Sequence, residues 1–343
     1  MSEFGDSGGG GALDSEPHGE VADNPLTTGT ISSCISLLAR TGNGLSHAYT
    51  KLTCPSRALT DIIVLSGYPH LRYVDLSNNA IRNVAPLAGL EFLLSVDLHG
   101  NRVEKVGGEL GALKYLQHVD LKANGIRTWE VAGWPLCGVL NLDDNALSGL
   151  SLGDFSSLVH LSVTRNTLEY ASPLKTPTLQ KLYLSNNPIG KMSNIDLEDK
   201  KHLQVLHLRE CGLESLAGLA GSDGRGLPGL VYLNLRGNNI HSSAEIDHLT
   251  HITTLRILVL SDNPVTSHPT YRLEILARLP KLDRLDKDPI TDDEREEASA
   301  YKIQMVEKSD TAAKHDAEEG MPRDPDDEAE EDPGKDDEGP DDD

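Results

Sequence analysis

At 343 residues the chain has room for one large or two ordinary domains, and its 38% apolar share includes only three Phe and two Trp. A net charge of −23 excludes general binding to nucleic acid or to an anionic membrane, because both repel such a surface. Seventeen Asp and Glu against three Lys and Arg lie in the last 35 residues, from Ser309 to Asp343, so that tail holds −14 and the rest −9.

Residues 1–30 are rich in Gly and acid with little apolar content, so they are expected to be disordered. The start, MSEFGDSGGGG, has neither the basic residues nor the apolar run of a signal peptide, and no stretch approaches membrane-spanning length. A soluble, intracellular protein is expected. Cys34, Cys54, Cys137 and Cys211 show no paired spacing, which points to buried free thiols in a reducing compartment.

Residues 31–58 are expected to form an N-terminal cap. Leu37, Leu38, Leu45, Ala48 and Leu52 flank the turn Thr41-Gly42-Asn43-Gly44, a spacing that predicts two short helices around a Gly turn.

Residues 59–270 contain the decisive pattern. LxxLxLxxNxL recurs nine times, with its asparagine position at Asn79, Asn101, Asn124, Asn145, Asn166, Asn187, Cys211, Asn238 and Asn263. The copies lie 21 to 27 residues apart. The central LxL has a period of two, so it reads as a short strand with one apolar face. One repeat cannot bury that face alone; stacking joins the strands into a parallel sheet and the leucines into one core. The asparagine amide can then satisfy the backbone where the chain turns, and cysteine takes its place once. The fold class is therefore an α/β leucine-rich-repeat solenoid with a concave parallel sheet, a convex side of turns or short helices, and a cap at each end. The shorter repeats leave room for 3₁₀ turns, whereas Ser242-xx-Glu245 predicts a capping box and a short helix in a longer one.

Three rows of side chains project from the concave sheet. The first repeats carry an acidic row, Asp75, Asp97 and Asp120. The later ones present Tyr183, Val205, His207, Arg209, Tyr232, Asn234, Arg236, Ile257 and Val259. Aliphatics beside Tyr and Arg have the composition of an interface core, so this half is expected to be the main protein-binding site.

Residues 271–290 are expected to supply a C-terminal cap, a helix and a last strand-like stretch. Thr291-xx-Glu294 forms a second capping box that opens a helix over 291–308, with acids crowding its first turn. Ala298, Tyr301 and Met305 make a narrow apolar stripe on that helix, expected to contact the cap. Residues 309–343 are expected to be a disordered acidic tail.

No catalytic motif is present: there is no GxxxxGK[ST], no GxGxxG after a strand, no HExxH and no GxSxG. His118 and His160 both project from the sheet but sit two strands apart, about 10 Å, too far to share one metal ion. His207 lies further along. No cofactor, metal or small-molecule substrate is expected.

The end segments carry a more specific signal. Thr41-Gly42-Asn43-Gly44-Leu45-Ser46-His47-Ala48-Tyr49-Thr50-Lys51-Leu52, Leu59-Thr60-Asp61-Ile62 and His70-Leu71-Arg72-Tyr73-Val74-Asp75 closely resemble the leucine-rich-repeat-containing protein twenty-three family. Tyr271-Arg272-x-Glu274, Leu282-x-Arg284-Leu285-Asp286-Lys287 and Glu294-Arg295-x-Glu297-Ala298 agree at the far end. The resemblance covers about residues 31 to 300. It implies a non-enzymatic component of the axoneme of motile cilia and flagella, a radial-spoke protein that helps to join spoke-head proteins to the stalk. The acidic tail alone would also suit an acidic leucine-rich regulator of a phosphatase or of the nucleus. A spliceosomal leucine-rich subunit would present a basic face, against which the Asp75, Asp97, Asp120 row argues.

Overall fold

The computed structural model describes residues 22–319, apart from Asn43, Ala220 and 222–225. Most of the chain winds into one 13-stranded sheet. It begins with a hairpin, β1 (Ile35–Arg40) and β2 (His47–Thr53). Nine three-residue strands come next: β3 (Tyr73–Asp75), β4 (Ser95–Asp97), β5 (His118–Asp120), β6 (Val139–Asn141), β7 (His160–Ser162), β8 (Lys181–Tyr183), β9 (Val205–His207), β10 (Tyr232–Asn234) and β11 (Ile257–Val259). The sheet closes with β12 (Arg284–Leu285) and β13 (Asp288–Pro289). Pairing is parallel from β2 through β12 and antiparallel only at the two ends.

Each repeat strand is short for a physical reason. Its central residue, such as Val74, Leu161 or Leu233, is buried in the core, while its neighbours, Val259 excepted, stay at the surface. Four residues after that centre the backbone is forced out of line. The residue before every ladder position has a positive φ: Asn78, Gly100, Ala123, Asp144, Arg165, Asn186, Glu210, Gly237 and Asp262. Only two of these nine are glycine, so seven side chains accept a left-handed backbone that costs roughly 1–2 kcal/mol each.

The ladder residue offsets that cost. Asn187 is 2% exposed; its Nδ2 donates to Val163 O at 2.9 Å and Leu184 O at 2.8 Å, and its Oδ1 accepts from Leu168 N at 3.0 Å. The other ladder asparagines repeat this scheme, as at Asn101, whose Oδ1 accepts from Ile81 N at 3.1 Å. Cys211 keeps the donor half: its thiol donates to Leu184 O at 3.4 Å. It has no side-chain acceptor to replace Oδ1, and the Ile189 N–H turns instead to Asn187 O at 2.9 Å.

On the convex side lie 3₁₀ turns, among them Ala85–Gly89, Gly108–Ala112 and Ser243–Leu249. Two short parallel pairs join them: Lys105–Val106 with Thr128–Trp129, and Gly149–Leu152 with Tyr170–Leu174. Trp134 packs edge-on against Trp129 and Phe155 in the middle repeats, and the three ring centroids lie 5.6 to 6.4 Å apart.

The structure corrects several expectations at the ends. Ile31 to Leu52 is not a helix pair. One short helix, α1 (Thr28–Cys34), runs straight into the β1–β2 hairpin. The alternation of Ala48, Thr50 and Leu52 puts these three on the core side, whereas Leu37 and Leu38 are more than half exposed. Order also begins earlier than residue 31: Leu26 is buried and its N–H donates to Asp61 O at 2.8 Å. Cys34 and Cys54 are not free thiols. They are paired as a disulfide, Cα to Cα 5.6 Å, brought together because α1 packs against β2; Cys137 and Cys211 remain free and buried.

Ser242 caps a 3₁₀ segment by accepting from Ala244 N at 3.1 Å, but Glu245 does not complete the box. Its carboxylate reaches the preceding repeat, accepting from Ser215 Oγ at 2.7 Å and Leu216 N at 2.8 Å. At the far end α2 (Tyr271–Arg278) leads to β12 and β13, and α3 (Asp292–Glu319) packs across α2. The capping box at Thr291 is complete: Thr291 N donates to Glu294 Oε2 at 2.8 Å, and Glu294 N to Thr291 Oγ1 at 3.3 Å. The helix runs past residue 308 to Glu319, so the first part of the expected disordered tail is helical. Residues 1–21 and 320–343, the rest of the expected disordered ends, lie outside the described residues.

Candidate protein-binding face

The concave face is built by the residues flanking each buried strand centre. Strand register puts Asp75, Asp97, Asp120 and Asn141 side by side, then Ser162, Tyr183, His207, Asn234 and Val259. The acidic row is largely occupied by its own turns. Asp75 Oδ1 accepts from Ser77 Oγ at 2.7 Å, Asp97 Oδ1 bonds His99 Nδ1 at 2.7 Å, and Asp120 Oδ1 accepts from Lys122 N at 2.9 Å. Asn234 does the same for Arg236 N at 3.1 Å. These side chains shape the loop that leaves each strand.

The C-terminal half is organised differently. His160 stacks on Tyr183 at 5.0 Å, Tyr183 leans at a tilt on His207 at 4.6 Å, and His207 stacks on Tyr232 at 5.0 Å. The column crosses four strands, passing diagonally from one row of side chains at His160 to the other at Tyr183 and His207, and back again at Tyr232. Reading each row separately misses it; the signal was the offset of aromatic and imidazole rings between adjacent rows. Burial in the column lowers the His207 pKa to about 4 and raises that of the Tyr183 phenol. His160 is also lowered, by burial and then by the nearby Lys181 ammonium. Near neutral pH the column is therefore an uncharged, half-buried ring surface.

Around it, Val205, Tyr232 and Ile257 are half-buried, but Val259 is only 7% exposed. The cap turn beside β11 accounts for that: Asp286 N donates to Leu258 O at 2.8 Å, and its carboxylate accepts from Leu260 N at 2.8 Å. Val259 therefore offers little surface to a partner. Arg209 donates to Glu210 Oε1 at 2.9 Å, and Arg236 to Asp262 Oδ2 at 2.6 Å, so both guanidinium groups are held at the rim by carboxylates. Tyr301 and Met305 are half-buried on α3, and Tyr301 lies against the cap with its hydroxyl 3.5 Å from Glu274 Oε1; Ala298 beside them is buried.

Among the described residues no group of three or more His, Cys, Asp or Glu could hold a metal ion, and no helix is long and apolar enough to cross a membrane. Cys137 and Cys211 are pushed up to about 12 by burial, the opposite of an activated nucleophile.

Two leucine-rich repeat family profiles match, over residues 178–316 and 69–84. Among individual proteins, human leucine-rich repeat-containing protein 23 is 38% identical over 84% of this chain and 82% of its own length. The chain belongs to the leucine-rich repeat-containing protein 23 family. Its Xenopus tropicalis member is 41% identical over 81% of this chain and 78% of its own length. Membership of this family carries a protein-interaction role for the solenoid. In three dimensions the chain is similar to a Toll-like receptor 13 solved with single-stranded RNA. The TM-score is 0.55 at 19% identity, covering 69% of this chain and 36% of that one, a likeness of fold alone.

Proposed function

We propose that the chain is a non-enzymatic scaffold of the motile axoneme, a radial-spoke component that holds spoke-head and stalk proteins through its concave face and caps. The observation that carries a binding role is the stacked column from His160 to Tyr232, a neutral ring surface left at the sheet surface where the repeats demand no aromatic. The axonemal part of the reading is supported by the family resemblance of both caps. Several residues of those motifs have clear structural duties here. Tyr271 donates to Asp286 Oδ2 at 3.0 Å, Arg272 to Glu294 Oε2 at 3.1 Å, and Arg295 to Leu282 O at 2.8 Å.

The reading places the protein in the cytoplasm, on the ciliary or flagellar cytoskeleton, with no cofactor, nucleic acid, membrane or small-molecule substrate. Tagged full-length chain in flagellated cells is expected to mark the axoneme along its length; uniform nuclear signal would end the assignment. Crosslinking mass spectrometry on isolated axonemes is expected to join it to spoke proteins. Changing Tyr232 and Ile257 together to glutamate is expected to abolish pull-down of those partners with unchanged circular dichroism. A second reading, an acidic leucine-rich regulator, draws on the −14 carried by Ser309 to Asp343 and is separated by the same imaging.

A further inference from the structure

A row of large exposed apolar side chains lies away from the C-terminal half of the concave face. It runs at the other end of the solenoid, along the flank where the chain enters each strand. The residue three before the first strand position there is His70, Phe92 and Tyr115 in the first three repeats. In the fourth, Leu136 takes that place. His70 stacks on Phe92 at 6.1 Å and Phe92 on Tyr115 at 6.3 Å. Phe92, Tyr115 and Leu136 are 42%, 49% and 46% exposed.

The fold does not require rings at this position. In two later repeats it holds a threonine that closes the turn: Thr178 Oγ1 donates to Ser156 O at 2.9 Å, and Thr254 Oγ1 to Leu230 O at 2.8 Å. The aromatic row therefore gives up a local hydrogen bond and leaves rings in water.

One end of the row opens into a small groove of about 100 Å³ under the hairpin, lined by Ala39, Arg40, Thr50, His70, Arg72 and Phe92 among others. Neither guanidinium there has an ion-pair partner among the described residues, unlike Arg209, Arg236 and Arg272 elsewhere. Residues 31–58 contain Arg40, Lys51 and Arg57 and no Asp or Glu, in a chain of net charge −23. A basic groove continuous with an apolar row is complementary to a segment carrying both carboxylates and apolar side chains.

We propose that this flank of the first four repeats is a docking groove for an acidic peptide segment of a partner protein. Carboxylates of that segment lie between Arg40 and Arg72, and its apolar side chains lie on Phe92, Tyr115 and Leu136. The proposal rests only on the general protein-binding role of the solenoid, so it stands or falls separately from the axonemal assignment.

The test uses purified full-length chain and a fluorescein-labelled synthetic peptide that alternates Asp or Glu with Leu or Phe. Fluorescence anisotropy is expected to show saturable binding that weakens with salt, and at least about tenfold weaker binding when lysine replaces every acid. The pair Arg40→Glu and Arg72→Glu is expected to weaken binding by a similar factor, and Phe92→Ser with Tyr115→Ser to do so independently of salt. Arg40→Ala and Arg72→Ala serve if charge reversal disturbs the hairpin by circular dichroism. Tyr232→Glu, on the concave face, should leave the peptide affinity unchanged. Equal binding of the lysine peptide, or indifference to both arginine pairs, overturns the proposal. So does binding seen only after deletion of residues 1–21, which would give the groove to the chain's own acidic start.

Discussion

Replacing Asn187 by alanine removes four hydrogen bonds from a site that is 2% exposed. The Leu168 N–H loses its Oδ1 acceptor, and an orphaned buried donor costs about 1–3 kcal/mol. Val163 O and Leu184 O lose their shorter donor at about 0.5 kcal/mol each, keeping Asn166 Nδ2 at 3.3 Å and the Cys211 thiol at 3.4 Å, while Ser185 O still accepts from Arg165 N. The sum is about 2–4 kcal/mol. Asn187→Cys should cost about half of that, because the thiol at Cys211 already shows that sulfur can cover the donor half and leave only the acceptor half open. Urea unfolding followed by circular dichroism gives the two free energies, and hydrogen exchange at the Leu168 amide reports the same loss locally, which matters in a solenoid that can unfold repeat by repeat. Equal costs for Ala and Cys, or an Ala cost below about 1 kcal/mol, would show that the side-chain amide is not what holds successive repeats together.

Three further outcomes are expected. The folded His207 pKa lies near 4, below the unfolded value of 6.5, so the unfolded chain binds the proton more readily between these limits. Stability should therefore fall as pH drops from 6.5 toward 4, by up to about 3 kcal/mol, and His207→Phe should flatten that slope in chemical denaturation. Glu294 is held down at about 2, first by the Arg272 guanidinium and then by the Thr291 backbone; its contribution is present above pH 4.5 and lost as pH falls toward 2. With side chains of both partners about a third exposed, Arg272→Ala should cost only about 1 kcal/mol, read as faster exchange in the first turn of α3 while the repeats stay protected. Reducing the Cys34–Cys54 bond, which closes a 20-residue separation, should lower stability by about 3 kcal/mol in thermal or urea unfolding. The double Cys34→Ser, Cys54→Ser variant should ignore reductant.

The repeats were legible because two independent periods agree: the alternation that buries Leu182 between Lys181 and Tyr183, and the return of asparagine every 21 to 27 residues. Even the exception at Cys211 could be placed in register. The Thr291 capping box was equally readable, being local. The hairpin was not, since Leu37, Leu38 and Leu45 suggest a helix when counted by hydrophobicity alone; pairing with β2 and then β3 sets their fate. The same limit hid the stacked column, which depends on the diagonal offset of His207 and Tyr232 on neighbouring strands. The low exposure of Val259 was not legible either, because it depends on a turn formed by residues 27 positions later. Exposure of Phe92 and Tyr115 escaped notice because the repeat pattern says nothing about the residue ahead of its first leucine.

The sheet also has a mechanical meaning. Thirteen strands at ~4.8 Å place β1 and β13 roughly 58 Å apart, and every repeat contributes one fixed step to that span. The solenoid is a ruler with different fittings at its ends: an exposed basic hairpin at one, and a pair of packed helices, α2 and α3, at the other. Removing one whole repeat would leave each fitting intact yet draw them one step closer and rotate one against the other. Two partners gripped at opposite ends would then fall out of alignment with each other while each still bound its own site.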